Sequence, residues 1–167
     1  MTLIFNKTVQ GALKEIDTYQ YQEFMVNEPN QPTPLGSIPN NYAESKWQIV
    51  EMLNQTYSQI LKNKFDLYNW LYHHKEDEVA YFLNETGSNA LNYSEFKIPS
   101  KFHLWLGSKG FIIGIEQEGR GFNAAKIDKE KIKENEGAAF EFYRNCKSTV
   151  FFDNPEEARI VYLVYLF

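Results

Sequence analysis

The chain has 167 residues, which is enough for one domain with a sizeable core and leaves little room for a second. Apolar residues make up 43% of it and charged residues 23%, proportions typical of a globular protein and not of a disordered chain. The net charge is −5 and no stretch is strongly basic, which argues against nucleic-acid binding as the main activity.

The cysteine content and the apolar runs indicate the cellular compartment of such a chain. The single cysteine, Cys146, excludes an internal disulfide and a multi-cysteine metal site, and it fits a reducing compartment. The sequence contains no run of about 18 apolar residues, so it predicts no membrane span. The first ten residues lack the cationic flank and long apolar stretch of a signal peptide. We therefore expect a cytoplasmic protein with neither membrane nor nucleic acid as a partner.

The first quarter of the chain predicts a strand, a helix and a proline-rich segment. Apolar and β-branched residues at positions 3–9 predict a strand, and helical spacing at positions 11–24 predicts a helix. Residues 27–42 hold four of the six prolines and indicate a loop or an extended arm. That segment is either an ordered surface connector or a lid-like, partner-facing loop. Residues 1–44 are expected to belong to the same domain as the rest.

Three helical stretches are predicted next. From Ser45 the apolar period is 3.6, which predicts a helix with Ser45 as its N-cap. A second helical stretch is predicted at residues 67–74 and a third at residues 77–93. His73 and His74 are interpreted as a surface or core pair, because no dimerisation helices that would mark a phosphoacceptor accompany them.

The last third predicts strands separated by helices. Residues 99–115 alternate with period two around a glycine turn and predict two strands. Residues 138–146 predict a short helix, and residues 149–152 and 158–167 a final hairpin. Helices first and a meandering sheet afterwards predict an α/β two-layer sandwich, with a mixed, mostly antiparallel sheet and helices packed on one face.

Glu85 and Asn89 form the first chemical pattern. They stand four residues apart, so on a helix they project from one face as neighbours. The amide oxygen can complete a Mg²⁺ shell, and the carboxylate can orient or deprotonate a nucleophile. A solvated helix face without function is the alternative interpretation. Gly87 lies between them and costs a helix about 1 kcal/mol relative to alanine, which predicts a close approach by a strand or a ligand.

Two glycine-bearing segments form the second and third patterns. Residues 117–122 follow a predicted strand with the sequence Gln-Glu-Gly-Arg-Gly-Phe, and paired glycines there let backbone N–H groups approach a ligand. Residues 137–140, Gly-Ala-Ala-Phe, open a predicted helix. A helix N-terminus presents free N–H groups and a partial positive charge that favour phosphate.

Together these three segments resemble the GHKL superfamily, the ATPase domain shared by histidine kinases, anti-sigma protein kinases, gyrase and heat-shock chaperones. Residues 84–94, Asn-Glu-Thr-Gly-Ser-Asn-Ala-Leu-Asn-Tyr-Ser, resemble its N-box. Residues 117–122 resemble its first glycine box and residues 137–140 its second. The resemblance covers residues 45–167 and implies a Bergerat-type fold, closest in layout to the stand-alone anti-sigma kinases.

The resemblance also implies roles. Glu85 would be the catalytic base and Asn89 the Mg²⁺ ligand, while residues 126–136 fall where the family has a mobile ATP lid; a solvated helix is the alternative there. The residues that it implies for ATP binding are Asn89, Gln117, Gly119, Gly121, Phe122, Gly137, Ala138 and Ala139.

Three positions depart from the family pattern. Gln117 replaces an adenine-reading aspartate, although its carboxamide can still accept from an adenine amino group. Ala139 replaces a glycine, and its methyl group would be harmful if the position needs positive φ. Asn92 stands where many kinases carry lysine.

Two functions are compatible with these patterns. The first is a Mg-dependent ATPase or protein kinase that acts on a separate protein partner. The alternative is a degenerate, non-catalytic interaction module, which would contact its partner through residues 27–42 and exposed aromatic side chains. A homodimer is possible under either interpretation.

Overall fold

A computed structural model describes residues 2–28, 35–69, 76–96 and 99–167. The elements are α1 (Val9–Ile16), β1 (Thr18–Met25), a short 3₁₀ helix (Leu35–Ser37), α2 (Ile38–Thr56), α3 (Glu78–Tyr93), β2 (Pro99–Gly107), β3 (Gly110–Gln117), α4 (Ala124–Glu134), α5 (Ala138–Asn145), β4 (Thr149–Phe152) and β5 (Ile160–Leu166). His73 and His74, with most of the predicted helical stretch 67–74, lie outside the described residues.

The five strands form one open sheet in the order β1-β2-β3-β5-β4, and each neighbouring pair is antiparallel. Alternation divides β3 between the two faces: Phe111 and Ile113 join the large core under helices α2 to α5, while Ile112 joins a smaller core under α1. The predicted α/β two-layer sandwich is confirmed. The eight-residue helix α1 additionally covers part of the opposite face.

The predicted first strand, residues 3–9, is wrong. Only Leu3 forms a β-bridge, an isolated parallel one to Val150, and α1 begins at Val9. The side chain of Thr8 starts that helix by accepting from Gly11 N at 3.1 Å. A side-chain acceptor at this position favours a helix start over the continuation of an extended chain.

The predicted helix at residues 11–24 is also wrong beyond Ile16. Asp17 adopts the left-handed conformation, with φ 55°, and ends α1. Residues 18–25 then form β1, in which Tyr21 pairs with Trp105 and Phe24 with Phe102. The secondary structure of this segment is determined by its pairing with a strand some eighty positions later in the chain. The local spacing of apolar residues cannot reveal that pairing.

The end of the predicted loop at residues 27–42 is helical in the structure. Helix α2 begins at Ile38, inside the predicted loop 27–42, and it carries Pro39 in its first turn, where the missing N–H needs no partner. Ser45 is therefore not an N-cap: it lies in the interior of α2 and is buried. Residues 29–34 lie outside the described part of the chain.

The predicted elements from residue 77 onward are confirmed. Asp77 caps α3 by accepting from Ala80 N at 2.9 Å, and it also accepts from Asp66 N at 2.8 Å. The hairpin of β2 and β3, the short helix α5 and the final hairpin of β4 and β5 all occur where the sequence predicts them. Residues 126–136 fall mostly within α4. Within the described residues, none of the helices is both long and apolar enough to cross a membrane.

Gly87 has a structural explanation in the side chain of Tyr42. A Cβ at position 87 would lie 2.5 Å from Tyr42 Oη and 2.7 Å from its Cζ. The hydroxyl of Tyr42 donates to the carbonyls of Leu83 at 3.1 Å and Asn84 at 3.2 Å. The close approach expected from the glycine is therefore made by a tyrosine of α2, which packs across α3 and forms part of the core.

Gly87→Ala is expected to lower the free energy of unfolding by about 1–3 kcal/mol, because the methyl group overpacks against Tyr42. Without that contact, alanine would stabilise the helix by about 1 kcal/mol. A double-mutant cycle with Tyr42→Leu, measured by urea unfolding, separates the two effects. Gly87→Ala should become neutral or stabilising in the Tyr42→Leu background; an equal loss in both backgrounds would contradict this account.

Candidate functional site

A pocket of about 900 Å³ opens between α3, the loop after β3, and the segment that joins α4 to α5. This volume is typical of clefts that hold small molecules and cofactors. The predicted binding residues that line it are Glu85, Asn89, Gln117, Gly121, Phe122, Gly137, Ala138 and Ala139. Three segments that are distant in the sequence thus meet around one cavity. Gly119 is not among the lining residues.

Glu85 and Asn89 form one wall of the pocket. They lie one turn apart on α3, and both side chains are partly buried. Burial raises the pKa of the Glu85 carboxyl above its ordinary value. A carboxylate with a raised pKa is a stronger base at neutral pH, which suits proton abstraction from a bound nucleophile.

Helix α5 is fixed to this wall by a buried hydrogen bond. The hydroxyls of Thr86 and Tyr143 are 2.7 Å apart, and both residues are almost completely inaccessible. Both also line the pocket. The contact holds α3 and α5 at a fixed separation, so it defines the width of the cavity near Glu85.

Gln117 forms part of the pocket at the end of β3. Its side chain is buried, and Nε2 donates to the carbonyl of Arg120 at 3.0 Å. That bond orients the carboxamide and leaves Oε1 to accept from a ligand. The preceding residue, Glu116, lies on the opposite face of the sheet, where it contacts His103 Nε2 at 2.7 Å, as strand alternation predicts.

The two glycines of the first glycine segment are explained by protein neighbours. Gly119 has φ 88°, and a Cβ there would lie 2.7 Å from Glu95 Oε2 and from the ring of Phe96. A Cβ at Gly121 would lie 2.6 Å from the backbone of Glu157. The carboxylate of Glu95 also accepts from Arg120 N at 2.5 Å. These contacts hold the loop against the C-terminal end of α3.

The N-terminus of α5 opens onto the pocket. Gly137 precedes the helix with φ 90°, and as a glycine N-cap it supplies no side chain to cap the first N–H groups. A Cβ at that position would meet the stem of Lys131 at 2.9 Å, so glycine is needed there. Ala139 lies inside the helix with its methyl group buried, and it does not adopt positive φ. The alanine is therefore compatible with this helix start.

The charges in the pocket are mostly negative. The charged side chains that line it are Glu85, Glu95, Glu130, Glu136, Arg120 and Lys131. The amine of Lys131 is engaged by Glu134 at 3.1 Å and by Glu136 at 3.7 Å. In the described part of the chain, no cluster of three or more His, Cys, Asp or Glu side chains could hold a metal ion by itself. An anionic ligand would therefore have to bring both a cation and part of its coordination shell.

Helix α4, which includes most of the predicted lid, is joined to the rest of the fold by few contacts. Asn123 caps it by accepting from Lys126 N at 2.8 Å. Asp128 pairs with Arg144 of α5. Ile127 lines the pocket, whereas Ile132 is 56% exposed. Its first residue, Ala124, is buried in the core and donates its N–H to the carbonyl of Pro155 at 2.8 Å, so the start of the helix is anchored. Only the part of the helix that follows can separate at low free-energy cost, which is consistent with a lid.

Sequence reasoning missed several residues of the pocket, among them Tyr93, Glu95, Arg120, Lys131 and Tyr143. Three of them carried a signal: Tyr93 lies in the segment that resembles the N-box, Arg120 between the two glycines of a predicted binding loop, and Lys131 in the predicted lid. The others join the pocket through the packing of α3, α4 and α5. Comparison with known proteins identifies no relative, since no family model, curated protein or solved structure matches this chain.

Proposed function

We propose that this chain is an ATP-binding domain of the GHKL type that hydrolyses ATP or phosphorylates a protein partner. One observation carries the proposal: segments 84–94, 117–122 and 137–140 contribute all of their predicted binding residues except Gly119 to a single cavity of suitable size. Their sequence separation makes this convergence unexpected for a merely solvated helix face.

Each part of the pocket has a role in this proposal. The amide oxygen of Asn89 holds Mg²⁺, which neutralises phosphate charge when it is bound. The uncapped N–H groups at the start of α5 receive the phosphates. The Oε1 atom of Gln117 accepts from the adenine amino group, and α4 closes over the nucleotide.

Glu85 is the catalytic base. A water or hydroxyl oxygen attacks the terminal phosphorus while Glu85 accepts its proton, and the bond from phosphorus to the bridging oxygen breaks to release ADP. In the kinase variant of the reaction, the attacking hydroxyl belongs to another chain. We place this activity in the cytoplasm, where the unpaired, buried Cys146 stays reduced.

A second candidate is the non-catalytic interaction module. The surplus of carboxylates in the pocket favours it, because free ATP would be repelled. The neutral Gln117, in place of an anionic acceptor, points in the same direction, since it weakens the hydrogen bond to adenine. The two candidates differ in one measurable respect, which is the response to Mg-ATP.

Mg-ATP is expected to raise the melting temperature of the chain. A ligand that binds only the folded state at about 100 times its Kd stabilises it by about 2.7 kcal/mol, or roughly 5–10 °C for a domain of this size. Because the pocket is acidic, ATP with EDTA should give little shift. Asn89→Ala should remove the Mg²⁺ dependence, whereas Asn145→Ala, an exposed asparagine outside the pocket, should not.

The titration is followed by differential scanning fluorimetry up to millimolar nucleotide. A melting temperature that stays flat at every Mg-ATP concentration would exclude the ATP-binding proposal and leave the interaction module. A shift that is equal with and without Mg²⁺ would refute the role given to Asn89.

A further inference from the structure

The two edges of the sheet differ in how they are protected. At the β4 edge, Ile4 N donates to Val150 O at 2.9 Å and Val150 N donates to Thr2 O at 2.9 Å. Residues 2–4 thus cover that edge. At the other end of the sheet, β1 pairs only with β2 among the described residues. An open edge presents unpaired backbone groups to another strand.

The sequence of β1 lacks the usual devices that prevent such pairing. The strand reads Thr-Tyr-Gln-Tyr-Gln-Glu-Phe-Met, with neither lysine nor proline. Its single irregularity lies between Thr18 and Gln20, so residues 20–25 pair regularly with β2. The only charge, that of Glu23, is held by the hydroxyl of Tyr21 at 2.7 Å and lies 3.7 Å from the amine of Lys101.

β1 is also held rigidly on the sheet. The hydroxyl of Tyr21 lies 2.7 Å from His103 Nδ1, and His103 Nε2 lies 2.7 Å from Glu116 Oε2. The ring of Tyr21 stacks on that of Trp105, with centroids 4.9 Å apart. These contacts join β1 to β2 and β3, so the edge is preorganised and loses little entropy when another strand binds.

We propose that two copies of this chain pair antiparallel through β1 and join their sheets into one. A twofold axis at Gln22 places five positions of each strand, 20–24, opposite the other copy within the regular part of β1. Gln22 then faces itself, Gln20 faces Phe24, and the hydroxyl of Tyr21 lies beside the carboxylate of Glu23. An axis at Glu23 would instead oppose two carboxylates, which is unfavourable.

The self-complementarity of this register favours a second copy over a foreign strand. Because opposing residues in an antiparallel pair share a face of the sheet, the helices of both copies lie on the same side. Pairing over five residues gives an interface at the small end of the known range, so the dimer is expected to be weak, with a Kd between about 1 and 100 μM.

Sedimentation equilibrium of the full chain at about 10 and about 100 μM tests the proposal. The wild-type chain should self-associate. Gln22→Lys and Gln22→Glu should each self-associate at least about tenfold more weakly, because like charges then meet at the axis. An equimolar mixture of the two variants should recover a dimer, since lysine then faces glutamate, and this recovery also shows that both variants are folded.

Gln55→Lys is the matched control: Gln55 is an exposed glutamine on α2, far from β1 in the sequence, and the charge change is the same. It should leave self-association unchanged. Three results would each overturn the proposal: a wild-type chain that stays monomeric at about 100 μM, variants that associate as the wild type does, or a mixture that recovers no dimer. If the wild type is monomeric, a segment of another protein becomes the alternative partner for the β1 edge.

Discussion

Glu85→Gln is expected to lower the rate of ATP turnover by about 10²–10⁴-fold, the range associated with loss of a general base. The affinity for Mg-ATP should stay within about threefold of the wild-type value, because glutamine has nearly the same shape as glutamate. In addition, the proposed role of Glu85 as a base arises only in the transition state. Phosphate release and nucleotide binding, measured on the same preparation, separate the two quantities. Equal loss of binding and turnover would refute the assignment of Glu85 as the base.

Stability of the same variant is the control for folding. Burial raises the pKa of Glu85, so the folded state holds this proton more tightly than the unfolded state does. The free energy of unfolding therefore falls as pH rises between the unfolded and the folded pKa, and ionised Glu85 costs stability at neutral pH. Glu85→Gln removes that cost and should raise stability at pH 7, with a smaller gain at acidic pH.

Glu141→Gln makes the same chemical change on the exposed side of α5, outside the pocket. It should leave turnover unchanged and lower stability by about 0.3–1 kcal/mol at most, because Glu141 is the acidic residue in the first turn of α5. If Glu85→Gln melts further below the wild type than Glu141→Gln does, the loss of turnover would have to be attributed to damage to the fold.

Glu78→Ala is expected to cause the largest loss of stability, about 3–5 kcal/mol. The buried carboxylate of Glu78, the first residue of α3, accepts from Lys147 N, from Ser148 N at 3.0 Å and from Ser148 Oγ at 2.5 Å. Its removal leaves the buried N–H of Ser148 and the partly buried N–H of Lys147 without this acceptor, and a buried unpaired N–H costs about 1–3 kcal/mol. Since a domain of this size has about 5–15 kcal/mol of stability in all, the variant should lose a large fraction of its stability.

Urea unfolding measures this effect, with Glu76→Ala as the control. Glu76 lies two positions earlier and is exposed, so its removal should change stability by no more than about 0.5 kcal/mol. Glu78→Gln should fall between the two, because it retains one acceptor oxygen but points an amide donor at other donors. A loss below about 1 kcal/mol for Glu78→Ala would show that water or other groups replace the carboxylate.

Local signals explain which parts of the fold the sequence predicts. Helix α3 is predicted well because its cap, Asp77, and its apolar face are both local features. β1 is not, because the glutamines and tyrosines at its centre become a strand only through pairing with β2, as Tyr21 does with Trp105. Proline misleads in α2, since Pro39 lies in the first turn, where a helix tolerates it.

The candidate site divides in the same way. Spacing alone places Glu85 and Asn89 on one helix face, and the short glycine segments mark two loops. The hydroxyl of Tyr143 against Thr86 and the carboxylate of Glu95 on the Arg120 backbone depend on how helices pack, so no sequence window contains them. Gly87 shows how far a local pattern can predict a contact. A glycine inside a helix indicates that another group approaches closely, but the sequence does not identify that group as Tyr42.

The placement of the first residues against β4 has a consequence for biosynthesis. The hydroxyl of Thr2 donates to the carbonyl of Tyr143, 141 residues further along the chain, and Leu3 bridges to Val150. These contacts cannot form until residue 150 has left the ribosome. Closing so long a loop is entropically slow, so we expect residues 2–4 to dock late in the folding of this domain and to leave the β4 edge exposed to chaperones until then.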